Sequence, residues 1–303
     1  MHIDLKAPGA ARLLDDDAPL DRIAHGMVFG EGPVWDRRTQ QLYWVEIIGN
    51  TIWKWKPGVG HEIVMKPSGH ANGLTFDQKG RLLVAGWSKR TIWCFDTDGS
   101  VKTLATAYQG KKLNSPNDIV VRSDGSIYWT DSAGGLIIPG MVAEDTQRYL
   151  DVQGVYRLSP DSKSAPDGKE VQLAIPDCTY PNGLAFSPDE KILYVNDSRL
   201  GLIRAFDVSA DGSCGPGRLF HTMTQPESGV ADGMKVDVEG NVYCTGPGGV
   251  HVIDSKGNLL ARLKVPGHST NLAFGDDDWC SLYVTTFDSV YRTRVKIPGV
   301  AVW

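Results

Sequence analysis

Residues 117–131 read NDIVVRSDGSIYWTD, and their reading decides the fold. Two short apolar runs flank an Asp124-Gly125 turn, the signature of a tight antiparallel hairpin. A polar pair, Asn117-Asp118, stands where the first strand begins. Polar groups that enter a core cost free energy unless something satisfies them, so the pair needs a reason.

The reason lies in repetition. The same arrangement, a polar residue followed by strand, turn and strand, opens EGPVWDRRTQQLYWVE at Glu31 and NGLTFDQKGRLLVAG at Asn72. It returns in NGLAFSPDEKILYVND from Asn182, DGMKVDVEGNVYCTG from Asp232 and TNLAFGDDDWCSLYVTT from Thr270. A third strand-like run follows each copy, for example TIWKWKPG and GVHVIDSKG, and most copies add a fourth, such as HEIVMK or LLARLKV. Helical periodicity is nearly absent. Copies spaced by about 40 to 65 residues, each of four strands, predict an all-β, six-bladed β-propeller with four-stranded antiparallel blades. The sixth copy nearly exhausts the chain, so the N-terminal run LDRIAHGMVF (20–29) is expected to supply its outer strand and close the ring, leaving no major open edge. Residues 1–303 then form one domain, with 1–10 as a peripheral tail. The longest interval carries the extra segment 132–153, SAGGLIIPGMVAEDTQRYLDVQ, expected as a loop insertion over one end of the channel.

Composition sets the outer limits. The net charge is −5 and no basic run occurs, which argues against a nucleic-acid partner. No apolar run approaches the length of a membrane helix, and the N-terminal stretch lacks the apolar core of a signal peptide. The five scattered cysteines form no Cys-x-x-Cys pair, so they read as reduced thiols. A cytoplasmic protein with no membrane or nucleic-acid partner is expected, its oligomeric state left open.

Innermost strands of a propeller line a central channel, so the first residues of the six copies converge. The predicted ring holds Glu31, Asn72, Asn117, Asn182, Asp232 and Thr270. All offer oxygen donors, and two are anionic. Neighbouring carboxylates repel unless one is protonated or a cation lies between them. Oxygen donors select hard ions: one divalent cation is expected, Ca²⁺ first, with Mg²⁺ or Mn²⁺ as alternatives and Zn²⁺ after them. The ring contains no Cys and only His70 stands beside it, which does not make a closed zinc site.

At these residues the sequence resembles the gluconolactonase, senescence-marker-protein (regucalcin) and luciferin-regenerating-enzyme family. GEGPVW (30–35), SPND (115–118), YPNGLAFSPD (180–189) and VADGMKVDVEGNVY (230–243) are similar to its metal-binding motifs. The resemblance implies a single cation held by Glu31, Asn117, Asn182 and Asp232, and hydrolysis of a lactone to its hydroxy acid. It departs at two places: Ser115 stands where relatives carry a sugar-binding Arg, and Trp87 where many bacterial members carry a His. Both make the channel mouth less polar, so the small-molecule substrate is expected to be a sugar lactone such as gluconolactone or a less polar lactone.

Asp232 is the expected catalytic residue, as general base or as nucleophile, with His70 the alternative base. Asn72, Ser115, Asp131, Trp87 and His70 are the expected substrate contacts. Two other readings use the same features: a phosphotriesterase-like hydrolase on the same metal and Asp, and a non-catalytic binding propeller.

Overall fold

The computed structural model describes residues 2–15, 17–160, 162, 168–223 and 225–303. Six antiparallel sheets of four or more strands follow one another along the described chain, each built from the axis outward, and a two-stranded ribbon, Ala107–Tyr108 with Lys111–Lys112, lies between the second and third. Blade one is Gly30–Asp36, Gln41–Glu46, Thr51–Lys56 and Gly60–Met65. Blade two runs Ala71–Phe76, Leu82–Gly86, Thr91–Phe95 and Val101–Ala105. Blade three is Ser115–Val121, Ile127–Ser132, Gln153–Leu158 and Val171–Cys178. Blade four is Pro181–Phe186, Ile192–Asp197, Leu202–Asp207 and Arg218–Thr222. Blade five begins with Met234–Val236 and continues through Val242–Gly246, Gly249–Ile253 and Leu259–Lys264. Blade six has Ser269–Gly275, Ser281–Thr286 and Ser289–Arg294.

The chain's beginning completes two blades rather than one. Leu20–His25 pairs antiparallel with Ser289–Arg294 and closes blade six, with Asp21 opposite Arg292. Residues 2–6, expected as a peripheral tail, instead pair with Leu259–Lys264 and add a fifth strand to the outer edge of blade five.

The strand order explains the burial pattern. Inner strands lie between neighbouring blades and are buried on both faces, as Ala71–Phe76 is throughout, whereas the outer strand Gly60–Met65 is mostly exposed. Blades adhere through apolar and aromatic side chains from adjacent sheets. Trp35 of blade one stacks on Tyr283 of blade six at 5.6 Å between ring centres. Leu83 and Ile92 of blade two pack with Trp129 and Tyr156 of blade three. All five cysteines are free thiols.

One irregularity recurs where the repeated polar residue sits. The ladder between first and second strands shifts register between Glu31 and Val34, Ala71 and Leu74, Pro116 and Ile119, and Pro181 and Leu184. In blade six the shift falls between Ser269 and Asn271. Such bulges bend a strand and re-aim its side chains. The residue after the polar one is glycine in four copies, because the next blade's backbone presses against it. A Cβ on Gly73 would lie 2.7 Å from both the Asn117 carbonyl oxygen and the Asp118 Cα.

The channel has two mouths. At one, the chain's last residues lie across a cavity of about 390 Å³ lined by Leu74, Ile119, Ala185 and Phe274. There the Val300 amide donates to the Val236 carbonyl at 2.9 Å and Trp303 Nε1 to the Val121 carbonyl at 3.4 Å. The other mouth holds the clustered polar residues, and segment 132–153 lies beside it.

The contact at Gly73 is with backbone, which cannot swing aside. Gly73→Ala should therefore lower unfolding free energy by about 1–3 kcal/mol, read by urea denaturation. A change below about 0.5 kcal/mol would show that the inner strands can separate at no cost.

Candidate functional site

Five of the six expected ring positions bring polar side chains toward the channel mouth. Glu31, Asn72, Asn117, Asn182 and Asp232 line one cavity of about 330 Å³, within the roughly 300–1,000 Å³ typical of small-molecule sites. Phe29, Ile47, Trp87, Ile138, Met141 and Val230 make its wall apolar, and Tyr180, Ser198 and Arg199 complete it.

The sixth position differs. Thr270 is buried with its hydroxyl donating to the Gly30 carbonyl at 2.6 Å, a bond that ties blade six to blade one. Its successor Asn271 reaches the site instead, donating from Nδ2 to Glu31 Oε2 at 2.9 Å. The bond to Gly30 takes the Thr270 hydroxyl away from the cavity, and Asn271 stands beside Glu31 in its place.

Both carboxylates are buried, and burial dominates their chemistry. Desolvation pushes Glu31 up to about 7, against the pull of Asn271 and of the Gly32 amide, which donates to Oε2 at 2.6 Å. Asp232 is raised well above the ordinary carboxylate range, by burial first and then by the charges of Glu31 and Asp118. Asp118 is thus a third acid in the cluster. It is buried, its Oδ2 accepts no hydrogen bond, and Lys235 Nζ stands 3.7 Å away.

The amides show a matching lack. Asn182 Nδ2 donates to Ser198 Oγ at 3.1 Å, but Asn182 Oδ1 is buried without a partner, as is Asn72 Oδ1. Buried acceptors without donors are costly, and a cation satisfies amide oxygens and carboxylates together. The donor set therefore fits a hard divalent ion. Among the described residues no three His, Cys, Asp or Glu side chains are arranged to hold a metal, so any ion here takes amide oxygens as well as carboxylates.

Trp87 and Asn72 line the cavity as expected, whereas Ser115, Asp131 and His70 are not among its lining residues. Ser115 is fully buried; its hydroxyl donates to the Ser132 carbonyl at 2.5 Å and accepts the Gly135 amide at 2.9 Å, which pins the 132–153 segment. Trp87 does similar work, donating from Nε1 to the Met141 carbonyl at 3.1 Å. His70 turns Nδ1 to the Ile47 carbonyl at 2.7 Å and is set by its left-handed backbone, with φ 51°. Asp131 is fully buried behind the cavity, where its Oδ2 accepts the Asn114 amide at 2.9 Å.

Asp118, Lys235, Asn271, Tyr180 and Arg199 were not anticipated as site residues. The aligned copies hold a signal for three of them. In the column after the polar residue, glycine gives way to Asp118 and Asn271; two columns further on, Lys235 stands alone among Val34, Thr75, Val120, Ala185 and Ala273. Alternate strand positions face the same way, so both columns point to the channel. Tyr180 and Arg199 lie outside the aligned columns.

Comparison with known proteins establishes the family. The family model described as "SMP-30/Gluconolactonase/LRE-like region" matches residues 29–288. The chain belongs to this family. It is 31% identical to a gluconolactonase of Zymomonas mobilis over 97% of this chain and 86% of that one. It is 26% identical to the 6-deoxy-6-sulfogluconolactonase of Pseudomonas putida, over 90% of this chain and 94% of the relative. A solved gluconolactonase structure from Xanthomonas campestris superposes with a TM-score of 0.87 at 32% identity, covering 97% and 95% of the two chains.

Asp131 offers a test of how burial controls charge. Burial, opposed by the Asn114 amide and by Arg90, pushes it up to about 7, from an ordinary value of about 3.9. The folded chain therefore keeps a proton that the unfolded chain has released. Its stabilising contribution is complete below about pH 4 and is lost as pH rises through about 7. Asp131→Asn should flatten the fall in Tm between pH 4 and pH 7.5. An unchanged slope would mean that Arg90 keeps Asp131 ionised throughout.

Proposed function

We propose that the protein is a lactonase that opens a sugar lactone to its hydroxy acid with the help of one divalent cation, Ca²⁺ first among the candidates. The observation that carries the reading is the buried cluster of Glu31, Asp118 and Asp232 beside amide oxygens that lack donors. Relatives named gluconolactonase and 6-deoxy-6-sulfogluconolactonase support the reaction class. Glu31, Asn117, Asn182 and Asp232 would hold the ion. When bound, such an ion polarises a carbonyl and stabilises negative charge that develops on its oxygen.

The chain's own residues supply the rest. Trp87, Ile138 and Met141 exclude bulk water from the cavity wall, which strengthens every charge interaction inside it. The Asp232 carboxylate takes a proton from the attacking water as the new C–O bond forms. When the ring C–O bond breaks, Asp232 returns that proton to the departing alkoxide, so the carboxylate is regenerated. Its position is fixed: the Asp232 amide donates to the Thr245 carbonyl at 3.1 Å, and Asn196 Nδ2 donates to the Asp232 carbonyl. Glu31 has no part in proton transfer; Asn271 and the Gly32 amide hold its orientation.

These roles separate two variants. Asp232→Asn keeps shape and one oxygen donor but loses the base, so kcat should fall about 10²–10⁴-fold, with little recovery at saturating Ca²⁺. Glu31→Gln should weaken the ion, and excess Ca²⁺ should restore much of its activity. The wild type should gain Tm on adding Ca²⁺, because the ion binds the folded chain alone. Equal rescue of both variants would reduce Asp232 to a ligand. A Tm indifferent to Ca²⁺, Mg²⁺, Mn²⁺ and Zn²⁺ would remove the cation.

A further inference from the structure

A second cavity of about 210 Å³ adjoins the first and shares two of its residues, Tyr180 and Arg199. Its remaining lining is Ala133, Leu136, Ile137, Thr146, Arg148 and Gln153, so segment 132–153 forms most of its wall. No acidic side chain lines it among the described residues, and two guanidinium groups do. Arg148 is tethered, donating from Nε to the Leu150 carbonyl and from Nη2 to the Asp151 carbonyl, both at 2.8 Å. The Arg199 side chain makes no hydrogen bond or ion pair among the described residues, although its backbone amide is fixed by Asp197 Oδ1 at 3.2 Å. An unengaged cation therefore stands at the boundary of the two cavities.

Tyr180 marks that boundary. It lines both cavities, and Asp232 and Arg199 stand on the wall of the first. Gly134 leaves room for the Tyr180 hydroxyl against the short helix Gly134–Ile137. The charge layout thus has a direction. The axial acids are taken up by the proposed ion and Lys235, whereas Arg199 and Arg148 leave positive charge at the side cavity that attracts an anion.

We infer that the lactone this chain prefers carries an anionic group, a phosphate, sulfonate or carboxylate, on the carbon remote from its carbonyl, and that Arg199 binds that group in the side cavity. This rests on the lactonase reading above: Tyr180 and Arg199 line the same cavity as Glu31 and Asp232, so a lactone with its carbonyl against the axial cluster extends toward them. A planar guanidinium suits all three oxyanions and can meet them through paired hydrogen bonds. Arg199 is a specificity-determining residue in this account, and the expected effect falls mainly on KM.

The test compares kcat/KM of the wild type, Arg199→Gln and Arg199→Lys on D-gluconolactone, its 6-phosphate, its 6-sulfonate analogue and a glucaric acid monolactone. The wild type should favour at least one anionic lactone over the neutral one, and the best of the three identifies the anion. Arg199→Gln should lower that anionic-to-neutral ratio about 10- to 100-fold, and Arg199→Lys should retain part of it. Added salt should erode the ratio as well. If the wild type opens the neutral lactone best, or Arg199→Gln leaves the ratio unmoved, the inference fails while the lactonase reading stands. If no lactone in the panel is opened, both fail.

Discussion

The structure turns on the crowding of like charge at the channel mouth. Ring closure carries Glu31, Asp118 and Asp232 into one buried cluster with a single ammonium, Lys235, near Asp118. Removing a carboxylate from water costs several kcal/mol even after relaxation, and mutual repulsion adds to that. A fold selected for stability alone would place apolar residues there, as it does a few residues further along the same strands at Val34, Val120 and Ala273. Buried, unneutralised acids persist where something else is gained, and perturbed carboxylates in a cavity are a mark of function.

The blades are built to tolerate that cluster. Each inner strand would, as a regular ladder, send alternate side chains into the adjoining blades. Register shifts at Glu31, Ala71, Pro116 and Pro181 break the ladder just at the polar residue. The glycines behind those residues let adjacent backbones close up, Gly73 against Asn117 and Asp118, and Gly183 against the Asp232 carbonyl. Behind them, the second strands supply fixed partners: Asn196 to the Asp232 carbonyl, Thr130 Oγ1 to the Asn182 carbonyl at 2.6 Å, and Thr245 Oγ1 to the Thr270 carbonyl at 2.8 Å. Each of these bonds links one blade's second strand to the next blade's first. The ring that closes the fold therefore also sets the positions of the site's side chains.

The architecture was legible because a propeller writes itself as repetition. Six aligned copies locate every inner strand, and the shortage of a strand at the chain's end points to Leu20–His25. Five of the polar residues that line the cavity, Glu31, Asn72, Asn117, Asn182 and Asp232, lie in one column of that alignment. Three kinds of error followed from what a column cannot contain. An alignment column cannot show that the Thr270 hydroxyl is taken by the Gly30 carbonyl while the next residue, Asn271, reaches Glu31. Asp131, Ser115 and His70, expected as substrate contacts, are instead engaged by local bonds to Asn114, Ser132 and Ile47 and are not among the residues that line the cavity. Residues 2–6 read as a tail because their pairing with Leu259–Lys264 adds a fifth strand that no other blade has, so nothing in the repeat announces it. Tyr180 directly precedes the first strand of blade four and Arg199 sits in the turn between its second and third strands, where neither periodicity nor consensus says which way a side chain turns.

The charge count at the mouth bears on which ion the proposed site suits. Glu31, Asp118 and Asp232 contribute three negative charges when ionised, and Lys235 returns one, so two remain. A divalent cation balances that remainder; a monovalent one leaves the cluster anionic, and protons achieve the balance only by giving up the base that hydrolysis needs. Asp118 and Lys235 are close to each other but lie one step below the ring, Asp118 in blade three and Lys235 in blade five. They therefore adjust the field at the site without supplying any of its four proposed ligands. Lys235 pulls Glu31 down while Asp118 pushes it up, so the two work against each other at the atom where the ion's grip is set. Removing either one alone would upset the balance that the four ligands meet, whereas removing both would leave the formal charge unchanged. On this view the two departures from the repeat, an acid where glycine is the rule and a lysine among apolar residues, are a matched pair whose separation in sequence hides a single electrostatic role.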